Sequence, residues 1–324
     1  MLLNKLIQTP PERIFVAEHK ESEKFNYHFF SQQLLANPIG QSNMDVYSVF
    51  PGIEVSFNSF FATHIACRHT PSDTKLEICY CKRGRIGWNM KNGIATYLGT
   101  GDLSLHSRYY CADSDILFPL GFFEGISIAV DLDYLTKECP PYLKEAGINP
   151  SVLSEQFCMN KPSTILSCTE LENIFAPLYD KTMMHMRQPL LKLKIQELLL
   201  YLYCMTPQKF DSSSYLSRHT QIIKKIHQQL TENLSQRFTI EKLSKQYLID
   251  ASTLKEVFKY VYGSPIATYM KEYRTKKAMK LLVETDYSIY DIASQLGYKT
   301  QSKFSKAFKD ITHVSPSEYK KLNK

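Results

Sequence analysis

Ser288-Ile289-Tyr290-Asp291-Ile292-Ala293-Ser294-Gln295-Leu296-Gly297-Tyr298, followed at once by Thr300-Gln301-Ser302-Lys303-Phe304-Ser305-Lys306-Ala307-Phe308-Lys309, decides the fold of the C-terminal part of this 324-residue chain. Ser288 precedes a short run with Ile289, Ile292 and Ala293 at helical spacing. Asp291 falls in the first turn, where the helix dipole favours an anion, and Gly297 ends the run. In the second piece Phe304 and Phe308 stand four apart and turn inward, so Gln301, Ser302, Lys303, Ser305 and Lys306 face outward behind Thr300. A short helix, a tight turn and a second helix with apolar inner positions form a helix-turn-helix pattern, whose second helix lies in the major groove of DNA. Amides, hydroxyls and ammonium groups on the outer face suit base edges and phosphates.

About fifty residues upstream the pattern recurs. Ile240, Leu243 and Ser244 match Ile289, Ile292 and Ala293; Leu254, Phe258 and Lys259 match Phe304, Phe308 and Lys309; Gly263 and Tyr269 match His313 and Tyr319. This first unit places Leu254, Val257 and Phe258 inward and Ser252, Thr253, Lys255, Glu256 and Lys259 outward. Helices are expected over 221–233, 240–246, 252–262, 266–284, 289–295, 302–310 and 316–322, with Thr239 and Ser252 as N-caps and Gly263 in the left-handed conformation after its helix. The linking helix 266–284 is roughly 28 Å long at 1.5 Å per residue. That length can hold two recognition helices about one DNA turn, roughly 34 Å, apart. A helical bundle for protein contact is the competing reading.

Charge is distributed unevenly. Residues 218–324 carry 20 Lys+Arg against 10 Asp+Glu, whereas the preceding residues carry 19 against 22. A basic block on a mildly acidic body suits a polyanion partner, or equally a solvated lysine-rich helical surface. None of the eight cysteines lies in the basic block and none forms a CxxC pair. The start, Met1-Leu2-Leu3-Asn4-Lys5, lacks the apolar run of a signal peptide, and no stretch of about 18 apolar residues occurs. A cytoplasmic protein with reduced thiols is therefore expected, with no membrane partner.

Residues from about 14 to 130 read as β. Ile53-Glu54-Val55-Ser56-Phe57, Leu76-Glu77-Ile78-Cys79-Tyr80-Cys81 and Ile126-Ser127-Ile128-Ala129-Val130 are strand-like runs separated by Pro71-Ser72-Asp73, Asn92-Gly93 and Gly99-Thr100-Gly101-Asp102. Asn92-Gly93 suits a hairpin turn. Helices follow at 171–186 and 190–205, the second beginning near Pro189 and carrying Leu191, Ile195, Leu198, Leu199 and Leu202 on one face. The polar stretch 207–214 reads as a linker. The expected fold class is α+β: an N-terminal β-barrel or sandwich, a helical connector and a C-terminal all-α domain with two helix-turn-helix units. The boundaries are 1–160, 161–217 and 218–324.

Residues 221–321 resemble the DNA-binding domain of the AraC/XylS family of transcription regulators, most closely in Ile289–Tyr298, in Phe304-Ser305-Lys306-Ala307-Phe308-Lys309 and in Ser315-Pro316-Ser317-Glu318-Tyr319. Thr253 to Phe258, Tyr262-Gly263 and Tyr269 to Arg274 are similar to the siderophore-responsive, PchR-like branch. The sequence departs from the family pattern at Glu256, where Arg or Lys is common, at His313, where Gly is usual, and at Lys320, where Arg is usual. Glu256 repels phosphate but can accept from a cytosine amino group. The resemblance implies a cupin-like N-terminal barrel sensing a small molecule, followed by helices that dimerise. It implies double-stranded DNA, a small-molecule effector such as an iron–siderophore, RNA polymerase and a second copy of the chain as partners.

The barrel offers weaker signals. Tyr80, Arg83, Arg85 and Trp88 are the effector-binding candidates; Trp88, the single tryptophan, could line a cavity with Tyr80, Tyr97, Phe118 and Phe122, or all could be aromatic core. Arg83 and Arg85 could meet an anion or be solvated. Cys79 and Cys81 share one side of a strand, as buried small hydrophobes or as a redox or metal sensor. A metal-dependent cupin-type enzyme carrying a DNA-targeting domain is the alternative function, but His64 and His69 are five apart, His106 is remote and no His-x-His occurs. No catalytic residue, metal or cofactor is therefore assigned, and the chain is read as a non-enzyme. A ligand-free architectural DNA binder is a third reading.

Overall fold

The computed structural model describes residues 12–18, 41–66, 70–91, 93–112, 114–159, 162–205 and 215–323. Cys67, His69, Asn92, the start of the chain and the 207–214 stretch lie outside these. The chain divides into two compact units, one ending at Ser214 and the other running Tyr215–Lys324.

The strands of the first unit are β1 (Glu12–Glu18), β2 (Gln41–Phe50), β3 (Ile53–Phe60), β4 (His64–Ala66), β5 (Lys75–Gly84), β6 (Ile86–Asn89), β7 (Ile94–Leu98), β8 (Leu103–Ser107), β9 (Asp115–Leu117), β10 (Phe123–Asp131) and β11 (Ser163–Ile165). One antiparallel sheet runs β1-β2-β3-β10-β5-β8-β11; the other runs β7-β6-β9-β4 within this unit. Side chains alternate across each strand, and both faces of the large sheet are used. Ile53, Val55, Leu76, Ile78, Leu103, Leu105, Ile126, Ile128 and Val130 pack on one face against helical residues such as Phe175, Leu191, Ile195 and Leu202. On the other face Phe60, Cys79, Cys81 and Phe123 meet Ile86, Trp88 and Leu98 of the second sheet. This is the N-terminal β-barrel/sandwich. The hairpin β6–β7 is closed by Met90 N–H to Ile94 O at 2.8 Å and Gly93 N–H to Met90 O at 3.0 Å, with Gly93 at φ +74°.

Its helices are α1 (Arg108–Cys111), α2 (Leu132–Lys137), α3 (Pro141–Glu145), α4 (Pro150–Phe157), α5 (Thr169–Phe175) and α6 (Arg187–Tyr203). The single helix expected over 171–186 does not form. α5 stops at Phe175 and the chain continues as 3-10 turns, Ala176–Tyr179 and Lys181–Met186. Pro177 removes a backbone donor and crowds the preceding turn, and Asp180 accepts from both the N–H and the hydroxyl of Thr182, at 2.9 and 2.7 Å, a local turn that competes with helix. α6 begins three residues earlier than expected, with Pro189 in its first turn.

The second unit comprises α7 (Ser217–Glu232), α8 (Ile240–Tyr247), α9 (Ala251–Tyr262), α10 (Ile266–Glu284), α11 (Ile289–Gln295), α12 (Gln301–Thr312) and α13 (Pro316–Asn323). α7 starts four residues before the expected 221 because Thr220, with Ile223, Ile226 and Leu230, extends its buried face. α9 starts at Ala251, and its N-cap is Asp250 rather than Ser252: the carboxylate accepts from Ser252 N–H at 2.9 Å and Thr253 N–H at 3.2 Å. A carboxylate also suits the positive end of the helix dipole. The C-terminal core gathers Ala278, Met279, Leu282, Ile292, Ala293, Leu296, Phe304, Phe308 and Tyr319. Among the described residues, no helix is long and apolar enough to cross a membrane.

Candidate nucleic-acid interface

Each helix-turn-helix unit is set by its caps and its inward residues. In the first, Thr239 Oγ1 accepts from Lys242 N–H at 3.2 Å to open α8, and Leu243 is buried. The turn passes through Leu248, at φ +51°, to the Asp250 cap. Leu254, Val257 and Phe258 are fully buried, so the opposite face of α9 is the free one: Ser252, Lys255, Glu256 and Lys259 are exposed and Thr253 is half-buried.

The second unit repeats this with a reciprocal cap. Ser288 Oγ accepts from Asp291 N–H at 3.1 Å while Asp291 Oδ2 accepts from Ser288 N–H at 3.2 Å. A Cβ on Gly297, at φ +76°, would stand 2.5 Å from Leu234 O, so only glycine fits this turn. Thr300 N-caps α12, its hydroxyl accepting from Lys303 N–H at 3.2 Å. Phe304 and Phe308 are buried, Gln301, Ser302, Lys303 and Lys306 are exposed, and Ser305 is half-buried. Thr300 is exposed, but its oxygen already serves the helix. Among the described residues, no ion pair engages Lys303 or Lys306, whereas Lys271 pairs with Asp310 at 3.1 Å. α10 packs against both α9 and α12, so one helix carries both units.

Sequence reasoning missed the cluster beneath α9. His227 of α7 is stacked on Tyr262 at 4.3 Å and hydrogen-bonded to Tyr269 Oη at 2.8 Å, with Phe258 and Tyr273 alongside. Burial pushes the His227 imidazole down to about 4, so it packs as a neutral ring. The tyrosines at 262, 269 and 273 were the available signal.

In the first unit a cavity of about 370 Å³ lies between the sheets. Of the four effector candidates only Trp88 lines it. Tyr80 is on the opposite side of β5, stacked on Phe175 at 4.1 Å. Arg83 and Lys82 are paired with Glu124, the guanidinium through Nε at 2.7 Å, and the two cations hold that carboxyl below its usual range despite its burial. Arg85 lies against the Gly99 turn. Phe118 packs on Phe60 and Phe123, and Tyr97 lies against Gly87. Cys79 and Cys81 are both buried on the inner side, Cys79 at the cavity; burial pushes its thiol up to about 12. Such a thiol is neutral and a poor nucleophile. His64 is exposed on β4 and His106 is buried on β8; among the described residues no group of His, Cys, Asp and Glu could hold a metal ion.

The fold defines a protein with two helix-turn-helix units, and the paired exposed faces of α9 and α12 are its candidate DNA-contacting surface. The family described as a helix-turn-helix domain matches residues 243–322. The transcriptional activator AarP of Providencia stuartii is 31% identical over 111 residues, 33% of this chain and 82% of AarP. The activator RhaR of Mannheimia succiniciproducens is 28% identical over 123 residues, 38% of this chain; the chain spans 43% of RhaR. Among solved structures, the C-terminal domain of AraT, a response regulator from Geobacillus stearothermophilus, is 31% identical over 33% of this chain and 88% of that one, with a TM-score of 0.31. The chain belongs to the AraC family of transcription regulators.

Proposed function

We propose that α9 and α12 are two recognition helices that enter successive major grooves of one DNA duplex, and that a small molecule bound by the N-terminal unit governs this binding. The observation that carries the reading is the pair of equivalent polar faces, Ser252, Thr253, Lys255, Glu256 and Lys259 on α9 and Gln301, Ser302, Lys303, Ser305 and Lys306 beside Thr300 on α12, both held by α10. Lys303 and Lys306 supply phosphate or guanine contacts; Gln301 and Ser302, in the first turn of α12, are placed for base edges. Glu256 selects for cytosine and against close phosphate approach. Residues 1–160 sense the effector, residues 161–217 hold two copies together, and a cytoplasmic activator or repressor meets RNA polymerase at the promoter. The PchR-like resemblance around α9 points to an iron–siderophore effector, whereas the cavity of about 370 Å³ in the N-terminal unit favours a smaller molecule.

The test is fluorescence anisotropy on duplexes selected from random sequence. Lys303→Ala and Lys306→Ala should each weaken binding. A lysine that touches phosphate lowers affinity uniformly across sequences and reduces the salt slope by about 1, whereas one that reads a base costs roughly 1–3 kcal/mol and relaxes preference at one position. Unchanged affinity in both variants, with helix content retained, removes the assignment.

A further inference from the structure

Part of the inner face of the large sheet, beside the apolar Met44, Val46 and Phe60, carries polar side chains where a closed barrel is ordinarily filled by apolar ones. Register places Ser56, Ser127, Cys79 and Ser104 in one cross-strand row and Glu54, Ala129, Glu77 and His106 in the next. All but Ser104 line the 370 Å³ cavity, with Asn58 two residues beyond Ser56. The opposite wall is apolar: Ile86, Trp88 and Ile116. Most polar groups of the chamber are spoken for. Arg108 Nε donates to Glu77 Oε1 at 2.5 Å, Asn58 Nδ2 donates to Ser127 Oγ at 2.8 Å, and Ser127 Oγ donates onward to Cys79 Sγ at 3.8 Å. That chain is directional and leaves one acceptor over. Asn58 Oδ1 has no partner among the described residues although Asn58 is only 3% exposed. A buried acceptor without a donor is unfavourable, and a ligand that brings one relieves it.

Charge narrows the class. Among the described lining residues the arginine is neutralised by Glu77, and Glu54 adds a carboxylate near it. His106, the other described lining residue able to carry positive charge, is buried against Trp88 and hydrogen-bonded to Ser104, so a carboxylate or phosphate entering here meets one arginine already paired with a carboxylate. The volume of about 370 Å³ lies near the lower end of the roughly 300–1,000 Å³ of small-molecule sites, suited to a compact molecule.

We propose that this chamber binds a compact, uncharged, amphipathic molecule that donates an N–H or O–H to Asn58 Oδ1 and lays its apolar side on Trp88, Ile86 and Ile116. The proposal rests on the reading of the N-terminal unit as effector-sensing. Trp88 is the single tryptophan of the chain, so its emission reports occupancy without background. The full-length protein is titrated with three probes of one shape: cyclohexanecarboxamide, an uncharged donor; cyclohexyl methyl ketone, which lacks the donor; and cyclohexanecarboxylate, an anion. The amide should give a saturable change in emission. The ketone should bind roughly 3- to 10-fold more weakly, the worth of one hydrogen bond, and the carboxylate more weakly still. Asn58→Leu should remove the difference between amide and ketone; the wild-type comparison stands if that variant does not fold. No saturable response to the amide, tighter binding of the carboxylate, or an unchanged amide-to-ketone ratio in Asn58→Leu overturns the proposal. DNA anisotropy run alongside separates the two readings. DNA binding with a silent Trp88 overturns the chamber alone. A saturable Trp88 response that leaves DNA affinity untouched upholds the chamber's chemistry and removes effector control.

Discussion

Leu248 and His313 are the two described non-glycine residues with positive φ, at +51° and +62°. His313 stands where the repeat has Gly263, and it does that glycine's work: its N–H reaches Lys309 O at 2.8 Å, as Gly263 N–H reaches Lys259 O at 2.7 Å. The departure was legible in the sequence; its outcome, a left-handed histidine rather than a rearranged turn, was not. Leu248 carried no signal, because leucine gives no hint of that conformation. It is 92% exposed, so its side chain contributes little packing. Leu248→Gly should raise stability by about 0.5–1 kcal/mol, the left-handed penalty less the extra freedom of glycine in the unfolded chain; urea unfolding followed by helical circular dichroism measures it. At His227 the folded pKa, about 4, lies below the ordinary 6.5. The unfolded state therefore takes up the proton first, and stability is full above about 6.5 and falls as pH drops towards 4. The loss approaches about 3 kcal/mol by pH 4, and in His227→Phe that part of the pH dependence should vanish.

At the level of elements, α9 and α12 were readable because their determinants are local. Apolar residues at i, i+4 fix the inner face, caps fix the ends, and all lie within a few turns of one another. The expected helix 171–186 failed for an equally local reason, Pro177 followed by Asp180, which the apolar periodicity alone does not weigh. α10 is one continuous helix of 19 residues, so it holds the two units at one separation and one angle. Five base pairs inserted between the two half-sites rotate one of them by about half a turn of DNA. Affinity should then drop to that of a single half-site, as read by anisotropy on the two duplexes. Equal affinity would mean that only one unit reads DNA.

Across the whole molecule the basic and acidic parts are assigned different tasks, and salt should separate them. If residues 218–324 neutralise several phosphates, the logarithm of the DNA association constant falls linearly with the logarithm of salt concentration, with a slope of about −0.9 per phosphate contact. The Trp88 response to an uncharged probe should stay flat over the same range. A salt-insensitive DNA affinity would leave the charge asymmetry without a role. The four barrel candidates show why the N-terminal unit was harder to read. Tyr80 and Trp88 are both aromatic strand residues, yet one meets helical residues and the other meets the cavity. Arg83 finds its partner Glu124 in a strand 41 positions away.

From residue order alone came the two helix-turn-helix units, their inward phenylalanines, the outward cations and the charge split, because each depends on spacings shorter than a helix or on simple counts. The β character of the first unit came the same way, from period-two runs and turns. Only the tertiary structure decided which face of each strand turned towards helices and which enclosed the chamber, since a two-residue period allows both. It also decided that Asn58 keeps an unmatched acceptor there, since strands that pair across the sheet from distant parts of the sequence supply or withhold the partners of a buried polar group.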